Sequence, residues 1–172
     1  MHVFERGGET PNDRMALWTP QTWPGRPAPV VLVVPDSVGA VVAARWAARA
    51  AYHRSTDLAL LVILHCSSGS VPVELADEAR AVAARVLPAA AAHDVVAHAV
   101  ATSMLPMATQ RAATKAAVRA IAQAVLALSA PLVVVCEDIT SARGRRMLAT
   151  MPADILFVPP AAVGRVAVVS TR

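Results

Sequence analysis

Few side chains in this 172-residue sequence are of the types and spacings that carry out chemistry. The sequence has no G-x-S-x-G nucleophile turn, no H-E-x-x-H and no C-x2-C, and its histidines form no metal-ligand spacing with cysteines or carboxylates. No serine or cysteine has an arguable base beside it. The sequence therefore predicts a protein that is not an enzyme and that holds no metal.

Three groups of residues are nevertheless able to contact a small ligand. Each group follows a predicted buried strand, and open parallel sheets bind ligands where strands end and helices begin. An anion is also favoured near the free amides of a helix N-terminus. The groups are Asp36 and Ser37, then Ser67, Ser68 and Gly69, and finally Arg143, Arg145 and Arg146.

Each group also has a purely structural interpretation, which the sequence favours. Asp36 or Ser37 can cap the helix predicted for residues 38–54. The serines and glycine of residues 67–69 are residues of which turns are commonly made. The arginines at residues 143–146 can form a solvated helix end. We therefore assign these residues to a site only on the condition that a nucleotide binds.

Strands and helices alternate along the chain. Continuous apolar runs predict strands buried on both faces of a parallel sheet, and an alternating run predicts an edge strand with one wetter face. The predicted strands are 29–35, 57–65, 94–101 (the alternating run, with His98 at the surface), 132–135 and 155–158. The predicted helices are 38–54, 73–87, 107–129 and 141–151, with Ser141 as a cap and Pro88 kinking or ending the second helix.

The stretch from Pro131 to Pro160 resembles part of a known family. LVVVCED followed by RRMLATMPADILFVPP is similar to the last strand, helix and strand of the universal stress protein fold. The resemblance implies an α/β domain over residues 30–160, with an open five-stranded parallel sheet of order 3-2-1-4-5 and helices on both faces, as in Rossmann-like proteins. It also matches Asp36 to the family's acidic residue that contacts the nucleoside.

The sequence departs from this family at the phosphate-binding loop. Nucleotide-binding members follow the fourth strand with G-x2-G-x9-G-[ST], whose bare backbone amides wrap the phosphates. Here Cys136 stands where the first glycine belongs, Gly144 is the only glycine between Pro131 and Pro160, and the crossover is too short for the motif. We therefore expect a degenerate nucleotide site.

Both ends of the chain offer surfaces for a partner. Residues 1–29 form a proline-rich extension that contains Met15, Leu17, Trp18 and Trp23, and it either folds against its own domain or docks these side chains on another protein. In residues 161–172, the apolar run with Val166 and Val168 can add an edge strand within the chain or across a dimer. Stress-protein-like domains commonly pair through the edge at their last strand.

Composition excludes several classes of protein. The net charge of +4 is scattered over a chain with only 3% aromatic residues, so no nucleic-acid interface is predicted. No apolar run approaches the ~20 residues needed to cross a bilayer, and the first residues do not resemble a secretory signal, which predicts a cytoplasmic protein. Cys66 and Cys136 end strands that lie too far apart for a disulfide, so both are expected to be thiols.

These patterns and the resemblance together predict a non-catalytic stress-protein-like domain that acts through protein–protein interaction and needs no cofactor. We expect a homodimer, or an accessory subunit of a larger assembly docked by its N-terminal arm. The alternative is a regulator that binds ATP or AMP through an altered phosphate site at the residues named above.

Overall fold

The computed structural model describes residues 16–34, 39–65, 73–104, 107, 109–137, 141–159 and 167–169, and for residues 65, 73, 74, 103 and 167–169 it describes the backbone alone. These residues form one seven-stranded sheet of order β1-β4-β3-β2-β5-β6-β7. The strands are β1 (Leu17–Trp18), β2 (Val30–Val33), β3 (Leu58–His65), β4 (Ala97–Met104), β5 (Leu132–Cys136), β6 (Asp154–Val158) and β7 (Ala167–Val169).

Four helices cover the two faces of the sheet. They are α1 (Gly39–His53), α2 (Val73–Ala91), α3 (Gln110–Leu128) and α4 (Ala142–Leu148). The apolar faces of α1 and α2 belong to one core cluster, and those of α3 and α4 belong to the cluster on the opposite face. The α/β class predicted from the sequence is confirmed.

The predicted strand order 3-2-1-4-5 is confirmed for β4-β3-β2-β5-β6, all of which run parallel. The predicted total of five strands is too low. β1 extends the sheet in parallel beside β4, and β7 extends it antiparallel beside β6. The run at Val166–Val169 thus adds its strand within the same chain, and the strand begins at Ala167.

The central strand β2 shows why these apolar runs become strands. All four of its residues are buried, and successive side chains point to opposite faces of the sheet. Val30 and Leu32 join the core beneath α1 and α2, while Val31 and Val33 join the core beneath α3 and α4. A strand that packs helices on both faces must be apolar at every position.

The described part of the N-terminal extension folds against its own domain. Leu17 and Trp18 pair with Ala99 and Val100 of β4. Trp23 is half-buried, its Nε1 donates a hydrogen bond to the Arg26 carbonyl oxygen (2.8 Å), and its ring meets His98 edge to face at 5.2 Å between centroids.

The prediction of an edge strand at residues 94–101 is wrong in two respects. The strand runs from Ala97 to Met104. It is also not the edge strand of the sheet, because β1 pairs with it at Ala99 and Val100. His98, predicted to lie at the surface, is half-buried because the indole of Trp23 packs on it.

Asp57 fixes the extension to the start of β3. Among the described residues it is the only charged residue that is buried, with 7% of its surface exposed. Its Oδ2 accepts a hydrogen bond from the Arg26 backbone N–H (2.7 Å), and its Oδ1 lies 4.0 Å from Arg26 Nε. A Cβ at Gly25 would lie 2.5 Å from Trp23 Cζ2 and 2.7 Å from Asp57 Oδ2, so only glycine fits between them.

The predicted helix ends differ from the observed ones at three places. The helix α2 continues through Pro88 to Ala91, because Pro88 is exposed and the last turn buries Ala89 and Ala90. The loss of one backbone hydrogen bond is offset by that packing. The helix α3 begins after its cap Thr109, three residues later than expected.

The helix α4 also ends earlier than its sequence predicts. It stops at Leu148, not Met151, because the backbone tightens into turns in which the Thr150 and Met151 amides donate to the Met147 and Leu148 carbonyls. Pro152 therefore lies beyond the helix end and does not set it.

Candidate functional site

A cavity of about 490 Å³ lies at the carboxyl edge of the sheet. It is bounded by the last residues of β2, β3 and β4, by α2 from one face of the sheet, and by α3 and α4 from the other. The described residues that line it are Val33, Val34, Val62, Ile63, Leu64, Glu78, Val82, Met104, Gln110, Ala113, Thr114, Ala117, Val118, Ile121, Gly144 and Leu148. The cavity thus occupies the edge where open α/β sheets bind ligands.

The walls of this carboxyl-edge cavity are mainly apolar. Of the described lining residues, only Glu78, Gln110 and Thr114 carry polar side chains, and none is a lysine, arginine or histidine. The hydroxyl of Thr114 donates to the Gln110 carbonyl oxygen at 2.9 Å. Such walls suit an uncharged ligand, because burying a charge without a partner is costly.

The crossover from β5 to α4 stands where the family's glycine loop would be. Ser141 caps α4 as predicted, with its Oγ accepting a hydrogen bond from the Gly144 backbone N–H at 3.1 Å. Gly144 is buried and lines the cavity. The Gly144 amide is of the kind that the family's loop offers to phosphate, and here it already donates a hydrogen bond within the chain.

The Ser141 cap makes a specific prediction about stability. Replacing Ser141 with alanine should lower the free energy of unfolding by about 1 kcal/mol, because the Gly144 amide loses its acceptor. Urea unfolding followed by circular dichroism measures this change. The matched variant is Thr109→Ala, since Thr109 Oγ1 caps α3 by accepting from Ala112 N at 3.2 Å. If Thr109→Ala lowered the free energy of unfolding and Ser141→Ala did not, Ser141 would not cap α4.

The three arginines proposed as phosphate ligands do not line the cavity. Arg145 Nη1 lies 3.6 Å from Glu137 Oε2, so its charge is engaged by a carboxylate. Arg143 and Arg146 line a separate surface hollow with Met147 and Thr150. The residues of α4 that do reach the cavity are Gly144 and Leu148.

The other predicted site residues divide into two sets. Asp36, Ser37, Ser67, Ser68 and Gly69 lie outside the described residues, as do Met15, Val166 and Cys66. Leu17 and Trp18 lie in β1, Trp23 packs near β4, and Val168 pairs with Leu156 across β7 and β6. Cys136 is buried at the end of β5.

Sequence reasoning missed the polar lining residues Glu78, Gln110 and Thr114. Each lies on an amphipathic helix and looks like an ordinary solvated residue. The two helices are brought to one cavity by the sheet order alone, so no local signal could have identified these residues.

The described residues contain neither a metal-binding cluster nor a membrane-spanning helix. No three histidine, cysteine, aspartate or glutamate side chains in the described ranges are grouped so as to hold a metal ion. None of the helices that the structure describes combines the length and the apolar character required of a membrane span.

The architecture defines an open, mainly parallel α/β domain with a cavity at the carboxyl ends of its strands. No protein-family model and no curated protein sequence matches the chain. Solved structures do match it. A crystal structure of a universal stress protein in complex with cAMP superposes with a TM-score of 0.56 at 16% identity, covering 77% of this chain and 98% of that chain.

A protein from the universal stress protein family of Burkholderia pseudomallei gives a TM-score of 0.49 at 21% identity, covering 80% of this chain and all of that chain. The superposition on the protein in complex with cAMP shows that this chain has the universal stress protein fold. The resemblance predicted from the stretch at residues 131–160 is confirmed at the level of the fold.

Proposed function

We propose that this chain is a divergent universal stress protein that acts without catalysis, by associating with protein, and whose nucleotide site no longer holds phosphate. The observation that carries the loss of phosphate binding is the chemistry of the carboxyl-edge cavity. Its described walls are apolar apart from Glu78, Gln110 and Thr114, and they contain no cationic side chain.

A phosphate in this cavity would be poorly stabilised. Proteins hold phosphates with arginine or lysine side chains and with free amides at helix N-termini. Here the Gly144 amide is bonded to Ser141, and Arg145 faces Glu137. Glu78, the one ionisable residue among the described lining residues, carries the same sign of charge as a phosphate.

The association surface we propose is the outer edge of β7. Among the described strands, β7 is the last of the sheet on its side and is three residues long. A terminal strand presents backbone groups on which another strand can form. Two copies related by a two-fold axis can join such edges with identical contacts. At the opposite edge, β1 has only two residues and its two side chains are half-buried against the same domain. We therefore propose a homodimer through β7.

Proline substitutions in β7 test this homodimer. Alternate residues of a strand direct their N–H groups to opposite sides. One of the two variants Val168→Pro and Val169→Pro therefore removes an N–H donor that faces β6, and the other removes an N–H donor that faces outward. Sedimentation equilibrium of the native chain should give twice the mass of one chain. One of the two variants should sediment as a folded monomer.

The result that contradicts the homodimer is a native chain that sediments as a monomer at tens of micromolar. Retention of the dimer by both proline variants, with unchanged circular dichroism, would equally rule out β7 as the contact.

A second candidate function is regulation by an adenine nucleotide. It is favoured by the fold neighbour that was crystallised with cAMP and by the size of the cavity, which is in the range of small-molecule sites. Under this alternative, the purified protein would release a nucleotide on denaturation, and ATP or AMP would raise its melting temperature.

A further inference from the structure

We propose that the carboxyl-edge cavity is a binding site for an uncharged, mainly apolar small molecule that carries an N–H or O–H donor. This goes beyond the proposed association through β7 and does not depend on it. It assigns to the cavity a ligand class different from a nucleotide.

The first argument is the size of the cavity, which lies in the range of small-molecule sites. Here the ends of β2 and β3 leave Val33, Val62 and Leu64 facing about 490 Å³ of space, although each of these side chains has at most 5% of its surface exposed. Apolar walls of this extent fit a ligand that covers them, as in most small-molecule sites.

The second argument is the hydrogen-bonding capacity of the polar lining. The Thr114 hydroxyl proton is used by the Gln110 carbonyl, so its oxygen has only acceptor capacity left. The Glu78 carboxylate, when ionised, also only accepts. Of the described polar lining residues, Thr114 and Glu78 can therefore accept a hydrogen bond from a donor on the ligand.

The third argument is the position of the charge. Glu78 is exposed, whereas Val82, one turn further along α2, is buried. Both line the cavity, so the carboxylate marks its mouth and the apolar residues its interior. An anionic ligand would meet Glu78 on entry and find no cationic partner among the described walls, so the mouth disfavours an anion. The apolar interior would leave a charge of either sign without a partner, which favours an uncharged molecule.

The experiment titrates the full chain with N-phenyl-1-naphthylamine, a neutral aromatic probe with one N–H whose fluorescence rises in an apolar site. We expect saturable binding of one probe per chain. Ala117→Phe places a ring in the cavity and should weaken binding at least ten-fold, whereas Ala127→Phe, on an exposed and non-lining position of the same helix, should not. Thr114→Val should weaken binding about five-fold, the loss of one hydrogen bond.

Circular dichroism and thermal melting establish whether each variant is folded. If Ala117→Phe does not fold, Ala113→Leu serves as a smaller change that also fills part of the cavity. Three outcomes overturn the proposal: no saturable binding by the native chain, equal binding by a folded cavity-filled variant, or displacement of the probe by micromolar ATP. The mass of the native chain, measured separately, distinguishes failure of this site from failure of the homodimer.

Discussion

Replacing Trp23 with alanine should lower the free energy of unfolding by about 2–3 kcal/mol, somewhat less than for a fully buried tryptophan. The variant loses the indole packing against the core beneath α3 and α4, the edge contact with His98, and the 2.8 Å hydrogen bond to the Arg26 carbonyl. It also leaves the space beside Gly25 unfilled. Urea unfolding of the full chain measures the change.

The matched control for Trp23 is Tyr52→Ala. Tyr52 is 58% exposed on α1, so its removal should change stability by less than about 0.5 kcal/mol. If Trp23→Ala were as stable as the native chain, the extension would not be packed on its own domain in solution. The docking of the N-terminal arm on a partner would then be the better explanation of its tryptophans.

Replacing Asp57 with alanine should destabilise the protein by about 2–3 kcal/mol, because the part-buried Arg26 N–H would lose a charged acceptor and the buried Asp57 side chain would leave its space unfilled. Asp57→Asn retains an oxygen at the same position and should cost less. The control is Asp77→Ala, which removes an exposed ion pair with Arg80 (2.6 Å) and should cost less than about 1 kcal/mol.

Thermal and urea unfolding of these three aspartate variants decide the role of Asp57. Equal stability of Asp57→Ala and Asp77→Ala would mean that the Asp57 carboxylate does not hold the extension to β3. A loss confined to the extension, seen as faster cleavage by chymotrypsin after Trp18 with an unchanged midpoint, would show that the extension unfolds independently.

The strands that the sequence predicted most directly are those whose burial on both faces requires a continuous run of apolar residues. β2, β5 and β6 are buried on both faces and read as continuous apolar runs. β1 was not predicted, and the apolar run that forms β7 was predicted only as an edge strand either within the chain or across a dimer, because two or three residues at an edge are fixed by the strand already there. Their pairing follows from tertiary contacts, which a local pattern does not contain.

The helix ends show a similar limit. Ser141 was predictable as a cap because serine at that place satisfies a free amide, and the structure confirms it. The continuation of α2 through Pro88 was not predictable, since it depends on the burial of Ala89 and Ala90 against the sheet. Local propensity is overridden wherever a turn gains enough packing.

The candidate site was predictable in position and only partly in its residues. The carboxyl edge of the sheet follows from the fold. The choice of Arg143, Arg145 and Arg146 as phosphate ligands rested on their place at a helix start, whereas the structure turns Arg145 toward Glu137 and leaves the other two outside the cavity. The absence of catalysis and the cytoplasmic location stay predictions of the sequence.

Native mass spectrometry of the purified full-length chain, with released small molecules identified after denaturation, tests the central claim most directly. We predict a mass equal to two chains, no bound nucleotide, and no mass shift when ATP or AMP is added at millimolar concentration. A nucleotide recovered at about one per chain would contradict the loss of the phosphate site, and the cavity at the ends of β2, β3 and β4 would then be a nucleotide site after all.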